Sequence, residues 1–167
     1  MSSNAANPAA PVVESTAFRA ACGKFATGIT VVTVMGDDGQ PYGMTANSFT
    51  SVSLDPPLVA VCIDRKATML PLLEAAKHIG INILSESQRD VSAQFARRGS
   101  NRFEATDWNP GELSVPLLPG VLAHFECSVA AIHEGGDHRI VLAEVQRLKY
   151  FEGRPLLYFA SRYETLA

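Results

Sequence analysis

Leu58-Val-Ala-Val-Cys-Ile63 is an unbroken apolar run preceded by the turn residues Asp55-Pro-Pro57. It is too short for a core helix and rich in β-branched residues, so it reads as a strand buried on both faces. Upstream, Ile29-Thr-Val-Val-Thr-Val34 is β-branched at every position, which is strand chemistry, and Asp37-Asp-Gly39 supplies a turn into a second strand over residues 42–48. Before these, Phe18, Cys22 and Phe25 recur at helical spacing. This predicts a short amphipathic helix over 16–26, with Ser15 or Thr16 as its cap and Gly28 beyond its end.

Downstream, Thr68 can cap a helix running through Ala76 that buries Leu70 and Leu73, with Pro71 tolerated in the first turn. Residues 79–84 return to strand character. Ser87-Gln-Arg-Asp90 resembles a capping box, opening a helix that ends near Gly99 and carries Val91 and Phe95 four apart. Residues 101–120 hold prolines, glycines and the single Trp108 and read as a long structured loop. Strands over 122–133 and 139–150 follow, joined at Glu134-Gly-Gly-Asp-His138, and Pro155-Leu-Leu-Tyr-Phe159 is the last expected strand. Residues 1–14, rich in Ala, Pro, Ser and Asn, read as a flexible arm, leaving 15–167 as one domain. Strands joined by turns, with helices inserted irregularly, predict a mainly β or α+β domain, an antiparallel barrel above all, rather than a doubly wound parallel sheet. No G-x-G-x-x-G occurs, so any dinucleotide is held without a Rossmann domain.

With 47% hydrophobic and 19% charged residues the chain folds as a globular protein. A net charge of −3 gives no electrostatic reason for nucleic acid or an anionic membrane as a partner. Cys22, Cys62 and Cys127 are far apart and odd in number, which fits a reducing cytoplasm. His78, His124, His133 and His138 show no metal-ligand spacing, and no metal is expected. No apolar run approaches the length of a membrane span, and the N-terminus lacks signal-peptide regions.

Gly43-Met-Thr-Ala-Asn-Ser-Phe49 places small, hydroxyl- and amide-bearing residues at a strand end, where a flat ring could approach the backbone and receive hydrogen bonds. The same residues suit an ordinary strand entering an Asn/Ser turn. Thr27-Gly-Ile-Thr-Val-Val-Thr33, this segment, and Ser53-Leu-Asp-Pro-Pro-Leu58 together resemble the three N-terminal signatures of the short-chain flavin reductase family. These are the reductase components of two-component flavin monooxygenases. Asn82-Ile-Leu84, Gln88 to Ala96, Gly136-Asp-His138, and Pro155-Leu-Leu-Tyr-Phe159 before Arg162-Tyr163 extend the resemblance over nearly everything after Thr16.

The resemblance implies an FMN-binding split β-barrel with short inserted helices, a homodimer, and FMN or FAD held near the subunit interface. The implied reaction is reduction of that flavin by NADH or NADPH, supplying a monooxygenase. It puts the flavin ring beside Thr45, Ala46, Asn47 and Ser48, with Cys62 and Ile63 on the adjoining strand. Arg65, Lys66, Ala67 and Thr68 match the flavin-phosphate region, where two cations before a helix start also make sense as an anion site. Phe95 lies against the flavin or in the core, and Arg162 and Tyr163 occupy the family's C-terminal Arg-Tyr position. Gly136, Asp137 and His138 face the nicotinamide in the family, although as residues they equally make a hairpin turn. No catalytic side chain is implied, because the hydride passes directly between cofactors. A flavoredoxin-like electron carrier, or a flavin-binding protein without turnover, would use the same framework.

Overall fold

The apolar run at 58–63 lies inside β5 (Pro57–Asp64), whose Val59, Val61 and Ile63 are buried. The computed structural model describes residues 13–99 and 102–166, so most of the arm expected over 1–14 lies outside the described residues. β2 (Thr30–Met35) explains its own composition: Val32 and Val34 enter one core, and Val31, with Ile29 just before the strand, enters another. A strand with a core on each face needs apolar or hydrogen-bonded side chains throughout. Thr30 and Thr33 meet that need by donating to the carbonyls of Ala46 at 2.8 Å and Pro116 at 2.6 Å.

Seven antiparallel strands form the main sheet. In spatial order they are β3 (Pro41–Ala46), β2, β6 (His78–Ile83), β9 (Ala123–Gly135), β10 (His138–Tyr150), β5 and β4 (Thr50–Leu54). β3 lies at one edge and β5 next to the other, yet Ser48 joins their ends. Its Oγ accepts from the Cys62 amide at 2.9 Å and donates to the Cys62 carbonyl at 3.0 Å. This clamp bends the sheet toward a barrel. A smaller sheet of β1 (Thr27–Gly28), β11 (Leu157–Phe159) and β12 (Arg162–Glu164) lies apart from it, and β7 (Asn109–Pro110) pairs β8 (Pro116–Leu117) inside the long loop.

The larger core packs Val59, Val61, Ile63, Leu73, Ile79 and Ile81. The smaller one gathers Phe95, Phe103, Leu118 and Leu156 with Ile29 and Val31. Each such side chain fully buried contributes about 1.5–3 kcal/mol before chain entropy is set against it. Asn82, fully buried, ties the long loop to the sheet: its amide donates to Val31 O at 3.1 Å and its Oδ1 accepts the Leu118 amide at 2.9 Å.

Several helix expectations are corrected. α1 (Ser15–Cys22) starts after Glu14 with no side-chain cap and ends at Gly23; Gly28 belongs to β1. Phe18, Cys22 and Phe25 are exposed, because nothing among the described residues covers the helix. α2 (Leu70–Ala75) is shorter than expected: Met69 precedes it and Thr68 does not cap it, although Leu70 and Leu73 are buried as predicted. The capping box before α3 (Arg89–Ala96) uses Ser85 and Gln88 around a 3-10 turn at Glu86–Gln88, not Ser87. β12 was not foreseen.

Candidate functional site

The end of β3 forms the floor of a cleft of about 480 Å³ through Met44, Thr45, Ala46 and Asn47. Its rim is the turn after β5, with Asp64 and residues 66–69. One wall is α3 with Ser92, Phe95 and Ala96; Tyr158 and Tyr163 of the small sheet make another. The sheet needs Gly43 here, since a Cβ at that position would stand 2.8 Å from the Phe95 ring. Thr45 donates to the Ser92 carbonyl at 2.7 Å, and Ser92 Oγ meets the Tyr163 hydroxyl at 3.0 Å. Floor and walls are therefore bound to one another. Phe95 answers both readings: it is fully buried and also borders the cleft, with Phe103 set edge-on at 4.9 Å.

Eight predicted residues line this space: Thr45, Ala46, Asn47, Lys66, Ala67, Thr68, Phe95 and Tyr163. Ser48 and Cys62 lie just behind it, committed to each other, and Ile63 is wholly in the core. Arg65 turns away. Its Nε donates to Gly136 O at 2.8 Å, its guanidinium pairs with Glu134, and its amide donates to Asp137 O at 3.0 Å. The reason is the turn that follows β5, which ties Arg65 to the β9–β10 hairpin through its amide and side chain and leaves residues 66–69 along the cleft. Arg162 is exposed and is not among the lining residues.

Gly136 and Asp137 make the tight turn between β9 and β10, with Gly136 at φ 73°. His138 does not line the cleft but pairs in register with Asp64, which does. Its Nδ1 lies 2.7 Å from Asp137 Oδ1, and that hydrogen bond, with the attraction of the imidazole, holds the Asp137 carboxyl below its usual range.

Arg98 and Arg102 were missed, as were Asp64, Ser92 and Tyr158. The one available signal was the density of arginines around Gly99. With Lys66 they bring three cations against the single acid Asp64. Arg102 donates to Arg97 O at 2.9 Å and to Gly43 O, and burial pulls its guanidinium below the usual arginine range while leaving it charged. Small polar groups, an aromatic and aliphatic wall and an excess of cations fit a flat, phosphorylated ring ligand. Among the described residues no His/Cys/Asp/Glu group could hold a metal ion.

An antiparallel split barrel with such a cleft defines a class of flavin-binding domains. The chain belongs to the flavin reductase like domain family, whose profile matches residues 22–167. It is 39% identical over 154 residues to the flavin-dependent monooxygenase reductase subunit HsaB of Mycobacterium tuberculosis, covering 90% of this chain and 82% of that one. It is 46% identical to the FMN reductase (NADH) SmoA of Agrobacterium fabrum, covering 86% and 82%. The solved NADH:FAD oxidoreductase SgcE6 of Streptomyces globisporus, in complex with NAD and FAD fragments, superposes with a TM-score of 0.88 at 39% identity. That match covers 95% of this chain and 98% of that one.

Proposed function

We propose that this protein is an NAD(P)H-dependent flavin reductase that supplies reduced FMN or FAD to a partner monooxygenase. The observation that carries this reading is the register of β5 on β10. Asp64 in the cleft wall stands opposite His138 on the hairpin, so a ring in the cleft and a second ring at the hairpin would be neighbours. When both are bound, direct hydride passage from nicotinamide to flavin is the chemistry they supply. The protein's part is orientation and exclusion of water.

In this reading Thr45, Ala46 and Asn47 receive the flavin ring's polar edge, while Ser48, Cys62 and Ile63 hold that strand end rigid from behind. Lys66, Ala67 and Thr68, joined by Arg98 and Arg102, suit the phosphate. Phe95 and Tyr163 keep water out. Gly136 leaves room for the nicotinamide, and Asp137 orients the His138 ring through the 2.7 Å contact. Arg162 keeps no binding role. Relatives named as NADH-using reductases and as reductase subunits of monooxygenases support the same reading. A homodimer fits the exposed Val52 and Leu54 of β4 and the exposed Leu148, Tyr150 and Phe151, since large exposed apolar groups mark contact surfaces. The free, exposed Cys22 fits a reducing cytoplasm.

The test is His138→Ala, followed by anaerobic stopped-flow. Flavin affinity should hold while hydride transfer slows or the apparent KM for the nicotinamide rises several-fold, about 1 kcal/mol for one positioning hydrogen bond. Unchanged reduction kinetics at all nicotinamide concentrations would remove His138 from the site. Failure of the wild type to oxidise NADH or NADPH with either flavin would refute the function.

A further inference from the structure

Phe18, Cys22 and Phe25 recur at helical spacing, so α1 and the turn after it carry one apolar stripe, yet Phe18 and Phe25 are 60% and 78% exposed. A stripe of that period is ordinarily the face of a helix that something covers. Its neighbour is the hairpin of β11 and β12. The Ala160 amide, at the turn of that hairpin, donates to Gly23 O at 2.9 Å, and Lys24 Nζ stands 6.0 Å from the centre of the Phe159 ring. Within the hairpin Phe159 pairs in register with Arg162, and Tyr158 with Tyr163. Successive side chains of a strand leave on opposite faces. The two tyrosines line the cleft, so Phe159 and Arg162 stand on the reverse of the same small sheet, where both are exposed.

The charge around this surface is also unlike that elsewhere. Arg65, Arg139, Arg147 and Arg154 each hold a carboxylate. Arg19, Lys24 and Arg162 are exposed and form no ion pair among the described residues. The acids on the same elements are Glu14, just before α1, and Glu164 on β12. On a chain of net charge −3, Phe18, Phe25 and Phe159 thus sit among unpaired cations. An isologous contact with a second copy would set those cations against their own like. A partner whose apolar patch is edged by carboxylates would pair them instead, and exposed apolar groups rimmed by charge are where such partners bind.

We propose that α1 and the outer face of the β11–β12 hairpin dock the oxygenase that consumes the reduced flavin, through an apolar surface of that protein edged with carboxylates. This rests on the flavin reductase reading of the cleft. A protein docked there lies one sheet's thickness from Tyr158 and Tyr163, so reduced flavin leaving the cleft meets its acceptor before it meets dissolved oxygen.

The test places the photo-reactive residue p-benzoylphenylalanine at position 18 of the full chain, and at position 52 on β4 as a control, irradiates cells of the natural host, and identifies the adducts by mass spectrometry. The expected result is an adduct with a flavin-dependent oxygenase from position 18 and not from position 52. That oxygenase is then purified and supplied by the wild type or by Arg19→Glu combined with Lys24→Glu. Product formed per nicotinamide oxidised in air should fall several-fold with the variant and fall in the wild type as salt is raised, while anaerobic reduction of free flavin by the variant stays at the wild-type rate. Capture of a second copy alone, of any protein other than an oxygenase, or of nothing overturns the proposal, as does unchanged coupling with the variant. Loss of free-flavin reduction in the variant would make α1 a support of the cleft and overturns it too. Failure of the wild type to reduce flavin with either nicotinamide dinucleotide would sink the reductase reading itself, and that assay is read without any oxygenase present.

Discussion

Gly43 shows how one residue sets the depth of the cleft. Its missing side chain lets the Phe95 ring lie against β3, and its carbonyl accepts Arg102. In Gly43→Ala the new methyl would sit 2.8 Å from Phe95 Cε1, closer than packed carbons tolerate, and the ring is locked between β3 and Phe103. Overpacking of this kind costs about 1–3 kcal/mol. Urea denaturation should show that loss as a lower midpoint with an unchanged slope, and a midpoint equal to wild type would mean that α3 shifts freely. The neighbours Arg65 and Lys66 make the complementary point: adjacent cations of like chemistry go to different places, one to the hairpin and one to the cleft rim.

The hairpin of β9 and β10 is the element on which the proposed nicotinamide site depends. Glu134 receives both Arg65 and Arg139, Arg139 reaches on to Glu74 of α2 at 3.3 Å, and Arg65 also holds the Gly136 carbonyl. Partly exposed ion pairs add little to global stability, so the network's effect is local. Arg65→Ala should leave the melting temperature within a few degrees of wild type. It should weaken NAD⁺ binding several-fold and spare FMN, readable by calorimetry on the flavin-loaded protein. A selective loss of FMN would instead return Arg65 to the phosphate role that its sequence position suggests.

For the whole molecule, the apolar residues left uncovered are the main unfinished business. Leu54 is 96% exposed on the edge strand β4, and α1 offers Phe18 to solvent. An uncovered sheet edge invites pairing with another chain. Sedimentation should therefore give a dimer, and Leu54→Asp together with Val52→Asp should shift it toward monomer. A wild type that sediments as a monomer while still reducing flavin would refute the dimer.

The strands were legible because their information is local. A β-branched run such as 29–34, or an apolar run such as 58–63, specifies extended backbone and burial whatever lies elsewhere in the chain. The floor of the cleft, Thr45 to Asn47, was legible only as a small polar strand end that equally suits an ordinary turn; the resemblance to a family, not the local residues, pointed to a ring there. Helix starts were less so: a capping box was expected from Ser87, but Ser85 forms it, its amide donating to Gln88 Oε1 at 3.0 Å while its hydroxyl reaches Gly120 O at 2.8 Å in the long loop. Closure of the site was not legible at all. Ser92 meets Tyr163 from 71 positions away, Arg102 reaches Gly43 across 59, and α1 shows an apolar face that no described residue covers. Sequence by itself determined which segments extend and which faces seek burial, since those follow from side-chain shape and transfer free energy. Tertiary structure alone decided which cations enter the cleft, because that direction depends on partners brought together only when the barrel closes.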